Sequence, residues 1–254
     1  MSAPVSIAGR RLDAAYAPPA QAGMPVLVFL HEGLGSLGLW KDVPDALARA
    51  TGCGTLVYSR YGNGFSEVLE GERSVSYMHD EARILPELFD AFGIRDAVLV
   101  GQSDGASIAL IYAGENGDRV RGVVAEAPHV FVEELSVRSI AAAKTSYETT
   151  ALRERLARHH ADADRTFYGW NDIWLHPDFR AWNIEDAVAQ IRAPLLLVQG
   201  EDDEYGTPAQ LDAIRARASH ARVDALLLAG CGHAPHRDRR EIVLAAIAGF
   251  VRGL

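Results

Sequence analysis

Cysteine is scarce. Cys53 and Cys231 are the only two in 254 residues, so at most one bridge is available, and a chain of this length needs no covalent staple to hold its core. Both are expected as reduced thiols. They share no metal-ligand spacing, and the adjacent His159 and His160 would point in different directions on a helix, so no metal site is expected. Glycine-rich phosphate loops and dinucleotide fingerprints are also missing, and no cofactor is expected. Basic residues do not predominate: the net charge is -9 with both signs interspersed, which removes the electrostatic basis for tracking nucleic-acid phosphates. No apolar run approaches the roughly 20 residues that cross a bilayer. The opening MSAPVSIAGRRLDAAY lacks the basic and apolar stretches of a secretion signal. The expectation is a cytoplasmic protein whose partner is a small-molecule substrate, with no nucleic acid and no membrane, and with a homodimer left open. Repeats, low-complexity tracts and flexible linkers are absent too, so residues 1–254 are read as one domain.

What is present is a rhythm. Nearly half of the residues are apolar, enough for a sizeable core. Apolar runs recur at 26–30 (VLVFL), 55–59 (TLVYS), 97–101 (AVLVG), 120–127 (VRGVVAEA), 194–200 (PLLLVQG) and 225–230 (ALLLAG). Runs without in-out alternation suit strands buried on both faces, hence a parallel sheet with crossover helices. Helices are predicted over 42–50, 77–92, 103–113, 208–218 and 239–251, several opened by Pro, Asp or Ser. Two short extended segments around Gly9 predict an antiparallel edge hairpin. The strand rhythm stops between about 129 and 190, where LRERLARHH, FYGWNDIW and FRAW predict an inserted helical cap. The fold class is therefore α/β: a mostly parallel central sheet of about eight strands, flanked by helices and interrupted by that cap.

One motif carries chemistry. Gly101-Gln102-Ser103-Asp104-Gly105 ends an apolar strand and opens an apolar helix. Glycines two before and two after the serine let the chain turn sharply and lift the hydroxyl above the strand end. A serine hydroxyl is almost wholly protonated at neutral pH, so a base must accompany it. His233 follows the last predicted strand in Gly230-Cys231-Gly232-His233, at the same carboxyl edge of the sheet; His236 competes for the role but falls where the final helix begins. A carboxylate must then orient the imidazole. Four acids, Glu201 to Glu204, follow the strand at 194–200, and their chemistry alone scarcely separates Asp202 from Asp203.

With HEGLGS at 31–36, SRYGNGFS at 59–66, GQSDG at 101–105, GEDDEYGT at 200–207 and GCGHAPH at 230–236, the chain resembles the α/β-hydrolase superfamily from about residue 25 to its end. Five motifs in the correct order are far more specific than one. The resemblance implies Ser103 as nucleophile, His233 as base and, by the family's spacing from the strand-ending glycine, Asp203 as the acid. It also implies an oxyanion hole formed by the backbone N–H groups of Gly33 and Asp104.

The sequence departs from the family in carrying Glu32 where glycine is usual. A carboxylate beside a developing oxyanion calls for a partner, and Arg60, on the neighbouring strand end, is expected to form an ion pair with it. In the cap, Trp170 and Trp174 lie four apart and would share one helical face, expected to look toward Ser103; Asn171, Phe179 and Trp182 are expected mainly to pack. His129 and Phe131 would border the site. The expected activity is hydrolysis of a small ester or lactone through an acyl-enzyme, and LGSLGLW is similar to the corresponding loop of enol-lactone hydrolases. The alternatives are a carbon–carbon hydrolase acting on a ring-fission diketone, whose relatives carry a longer glycine-rich loop with proline, and a ligand-binding protein that reuses the fold.

Overall fold

The computed structural model describes residues 3–254; Met1 and Ser2 of the expected 1–254 domain lie outside the described residues. Strands β1 (Ala3–Ile7), β2 (Arg10–Ala17), β3 (Val26–Leu30), β4 (Gly54–Tyr58), β5 (Ala97–Gln102), β6 (Val120–Glu126), β7 (Leu195–Gly200) and β8 (Val223–Leu228) form one sheet in the order β1-β2-β4-β3-β5-β6-β7-β8. β1 and β2 are the expected edge hairpin, antiparallel to each other; β2 pairs antiparallel with β4, and every other pairing is parallel. The helices are α1 (Val43–Thr51), α2 (Tyr77–Arg83), α3 (Leu85–Ala91), α4 (Asp104–Glu115), α5 (Glu134–Thr149), α6 (Leu152–Ala157), α7 (Ala163–Leu175), α8 (Glu185–Val188), α9 (Ala209–Arg217), α10 (Pro235–Asp238) and α11 (Arg240–Arg252).

The continuous apolar strands have the cause expected of them. Along β3, Val28 and Leu30 enter the core shared with α3, α4 and the cap, while Leu27 and Phe29 enter a second core under α1 and α11. Alternate side chains of a strand face opposite ways, so a sheet covered on both faces has no polar alternation to show. α4 is buried from Asp104 to Ala113, which is why it lacks a polar face. The helix predicted over 77–92 is two, divided at Ile84, because Pro86 lacks the N–H that would continue the first. Helices α5, α6 and α7 form the inserted cap. The insertion returns to the body at α8, where the Ala187 carbonyl lies against Gly114 of α4 so closely that a Cβ on Gly114 would sit 2.1 Å from the oxygen. Among the described residues no helix is long and apolar enough to cross a membrane.

The turn from β5 into α4 is tightly packed against β3. Ser103 adopts φ 53, ψ -120, a conformation that costs a non-glycine residue on the order of 1–3 kcal/mol. The crossing is so close that a Cβ on Gly105 would lie 2.0 Å from the Leu30 carbonyl oxygen of β3, and one on Gly101 would lie 2.4 Å from the Gly105 oxygen. Backbone cannot yield here as a flexible side chain would. Gly105→Ala should therefore destabilise the fold by about 3 kcal/mol or more, read as a lowered urea midpoint; an unchanged midpoint would show that α4 can move off β3.

Candidate active site

Parallel strands bring the ends of β3, β5, β7 and β8 to one edge, and the candidate residues sit just beyond them. Asp203, three residues past Gly200, has a buried side chain, and its Oδ1 lies 2.8 Å from His233 Nδ1. That partner places the ring proton on Nδ1 and leaves the Nε2 lone pair free to accept one. The Asp203 carboxylate also accepts the N–H groups of Tyr205 (2.8 Å) and Gly206 (3.2 Å) and the Gln199 amide (3.3 Å). Burial favours its neutral form, but the His233 hydrogen bond and charge and the Tyr205 N–H outweigh it, so the net shift is below the ordinary aspartate value. Asp202 is exposed. The His233 backbone is held as well: its N–H donates to Glu204 Oε2 (3.2 Å), and Gln102 Nε2 donates to its carbonyl (2.9 Å).

His236 is engaged elsewhere. Its Nδ1 lies 2.9 Å from Glu126 Oε2, both side chains are buried, and its ring packs on Trp40 at 4.9 Å.

Ser103 and His233 line one cavity of about 170 Å³ together with Glu32, Gly33, Asp104, His129, Trp170 and Trp174. Three further wall residues, Leu34, Ile140 and Tyr205, were not singled out from the sequence; Tyr205 lies in the GEDDEYGT motif and its ring packs 4.7 Å from His233. Among the described residues neither the Gly33 nor the Asp104 N–H has a protein acceptor. Asn63, also unanticipated, donates to the carbonyls of Gly33 (3.0 Å) and Gly35 (3.2 Å), fixing the loop that carries one of them. The Trp170 indole covers Gly33 so tightly that a Cβ there would lie 2.1 Å from the ring. Phe179 and Trp182 stack on each other at 5.4 Å, Asn171 donates to the Ile140 carbonyl, and Phe131 bridges to Asn183 outside the cavity wall.

The expected ion pair between Glu32 and Arg60 does not form. Arg60 is buried, and its Nη2 donates to the backbone carbonyl of Glu32 (3.0 Å) and lies 3.8 Å from Asp104 Oδ2. A guanidinium at this depth serves the nearest acceptors, and two of those are the Asp104 carboxylate and the loop backbone. The Glu32 side chain turns the other way, over Gly35, with Arg237 3.9 Å from Oε1 and with Oε2 buried and unpartnered. Desolvation raises its carboxyl despite Arg237 and Arg60. Asp104 directs its carboxylate into a buried network, accepting from Tyr77 Oη (2.7 Å) and from Trp174 Nε1 of the cap (3.2 Å).

Three histidines are held neutral by burial: His31, pushed well below the ordinary value, and His129 and His160. His129 meets Trp174 edge-on at 5.1 Å, lies 5.7 Å from the His233 ring, and has an unpartnered Nδ1; burial, aided by the His233 charge, lowers it to about 4. His160 of the cap accepts the Gly64 N–H (2.8 Å) and contacts the Leu34 carbonyl (3.0 Å) through Nε2. It thereby pins the cap to both neighbouring loops, and burial likewise lowers it to about 4. Cys53 and Cys231 are free and buried.

The sequence matches the profile of the alpha/beta hydrolase family over residues 27–246. It is 25% identical to a 2-succinyl-6-hydroxy-2,4-cyclohexadiene-1-carboxylate synthase of Shigella flexneri, over 94% of this chain and 98% of that one. It is 24% identical to a proline iminopeptidase of Lactobacillus delbrueckii subsp. bulgaricus, over 82% and 83%. The fold superposes on the enol-lactonase from Burkholderia xenovorans LB400 with a TM-score of 0.78 at 20% identity, covering 98% of this chain and 100% of the other.

Because burial pushes His129 and His160 down to about 4 and His31 well below its ordinary 6.5, the unfolded chain takes up protons below 6.5 that the folded one refuses. Stability therefore falls as pH drops from about 6.5 to 4. Asp203, shifted down from 3.8, holds its contribution above that value and loses it as pH falls through its folded one. The urea midpoint should decline from pH 7 to 4.5, and His160→Gln should flatten the slope. A slope unaltered by that change would mean that His160 is not held neutral.

Proposed function

Because this chain belongs to the alpha/beta hydrolase family, we propose that it is a serine hydrolase opening a small carboxylic ester or lactone through an acyl-enzyme. The observation that carries the reading is the 2.8 Å Asp203–His233 contact, beside a cavity that His233 shares with Ser103 on its strained turn.

Ser103 Oγ attacks the carbonyl while His233 Nε2 takes its proton. The negative oxygen that develops is received by the N–H groups of Gly33 and Asp104, each worth about 3 kcal/mol of barrier. The imidazolium, held by Asp203, returns the proton to the departing alcohol oxygen, leaving the acyl group on Ser103; water then repeats the sequence in the same geometry. A cavity of about 170 Å³ walled by Trp170, Trp174, Leu34 and Ile140 suits a short acyl group. A small aromatic-walled pocket with a few convergent polar groups is the usual form of such a site.

A fluorophosphonate probe should label the pure protein on Ser103 and leave Ser103→Ala unlabelled. On a panel of p-nitrophenyl esters and lactones, Ser103→Ala and His233→Ala should each lose about 10⁴-fold or more in kcat, and the double variant no more than either. Labelling that survives Ser103→Ala would end the serine-hydrolase reading. Turnover of a vinylogous diketone with no ester or lactone cleaved would replace it by carbon–carbon bond hydrolysis.

A further inference from the structure

The cavity has no permanently cationic side chain in its wall. Its wall contains two carboxylates, Glu32 and Asp104, and two imidazoles, His129 and His233, with no lysine or arginine. Two arginines come near, and each is already committed away from the cavity. Arg60 is 1% exposed and faces the carbonyls of His31 and Glu32 and the Asp104 carboxylate. Arg237, half-exposed, lies 3.9 Å from Glu32 Oε1 and reaches the Leu39 carbonyl, and it is not part of the cavity wall. Asp104 is further satisfied by Tyr77 and Trp174. Glu32 is the least compensated acid, with one oxygen buried and unpartnered. Behind His233 stand two more acids, Asp203 and Glu204.

A negatively charged group entering this cavity loses its hydration, meets no counter-charge, and sits among carboxylates in a low-dielectric enclosure, where like-charge repulsion is far stronger than in water. An uncharged acyl chain loses nothing comparable and gains contact with the two indoles and the two aliphatic side chains.

We propose that the site selects by charge: it takes uncharged acyl groups and rejects those ending in a carboxylate, with Glu32 as the residue that sets the discrimination. This rests on the esterase reading above and narrows it to a substrate class. It also gives a use to the one position at which the oxyanion loop departs from glycine.

The test compares p-nitrophenyl butyrate with mono-p-nitrophenyl succinate, which match in length and differ by a terminal carboxylate. In the wild-type protein kcat/KM for the butyrate should exceed that for the succinate at least tenfold, and Glu32→Gln should raise the succinate-to-butyrate ratio several-fold. Equal or faster cleavage of the succinate by the wild type would overturn the proposal whether or not the variant folds, and a ratio unmoved in a folded Glu32→Gln protein would remove Glu32 from it. Should neither ester be cleaved, the esterase reading fails separately, and the charge preference is still measured by binding. Ethyl butyrate and monoethyl succinate, titrated onto Ser103→Ala, are read by quenching of Trp170 and Trp174 fluorescence. Tighter binding of the butyrate is expected, and tighter or equal binding of the succinate would overturn the inference.

Discussion

The buried Asp104 carboxylate joins the parts of this molecule that must hold together for a site to exist. It begins α4 directly after Ser103, and it is met by Arg60 from the end of β4, by Tyr77 from α2 and by Trp174 from α7 of the cap. A carboxylate taken from water costs several kcal/mol unless its oxygens are satisfied, and removing one partner of such a group costs about 3–5 kcal/mol. The four elements are therefore held to one arrangement by a charge that none can desert cheaply. The consequence reaches the chemistry, because the same residue's N–H is one of the two donors proposed for the oxyanion. Its side chain, drawn into the network, fixes the direction of its backbone. Arg60 adds a second tie, since its hydrogen bond to the Glu32 carbonyl positions the loop bearing the other donor.

That dependence explains which parts of the site could be read from the sequence. The strands, the edge hairpin and the cap were legible because they depend on local pattern, and the loops carrying Ser103, His233 and Asp203 were legible because a parallel sheet gathers its strand ends at one edge. Contacts between side chains from different loops were not. Glu32 and Arg60 stand on neighbouring strand ends, which suggested an ion pair, but Arg60 found a carbonyl and Asp104 closer at hand while Glu32 folded over Gly35. Tyr205 and Asn63 lie within motifs, GEDDEYGT and SRYGNGFS, but their contacts come from other loops. Ile140, on α5, and His160, between α6 and α7, carry no motif, and their places follow only from how the cap docks. Even the break of the helix at Ile84 had a visible cause in Pro86, outweighed in the sequence by the good helix-forming residues around it.

The two histidines of GCGHAPH show how the fold differentiates chemically identical groups. Each has a carboxylate on Nδ1, at 2.8 Å for His233 and 2.9 Å for His236. They differ in what the other nitrogen meets. His236 Nε2 is buried with no partner, so the pair it makes with Glu126 is a structural tie between the end of β6 and the start of α10. That tie also bears on the proposed nucleophile, because the Glu126 carbonyl accepts the Ser103 N–H at 2.8 Å. His233 instead lines the cavity with its side chain 13% exposed, which is what a group exchanging protons with a substrate requires.

The electrostatic layout then serves one end in two ways. In the proposed acyl transfer His233 would become an imidazolium, and Asp203 on its Nδ1, Glu204 on its backbone N–H and Glu32 across the cavity would all favour that charge. His129, 5.7 Å away and kept neutral by burial, adds no competing positive charge beside it. A site that stabilises a transient cation with acids in a low-dielectric enclosure must oppose a permanent anion in the same space, because the field is the same for both. The oxyanion of the proposed reaction would escape this opposition because it would form beside the backbone N–H groups of Gly33 and Asp104. On the proposed reading, rejection of anionic acyl groups and stabilisation of the imidazolium are two results of one arrangement of charge.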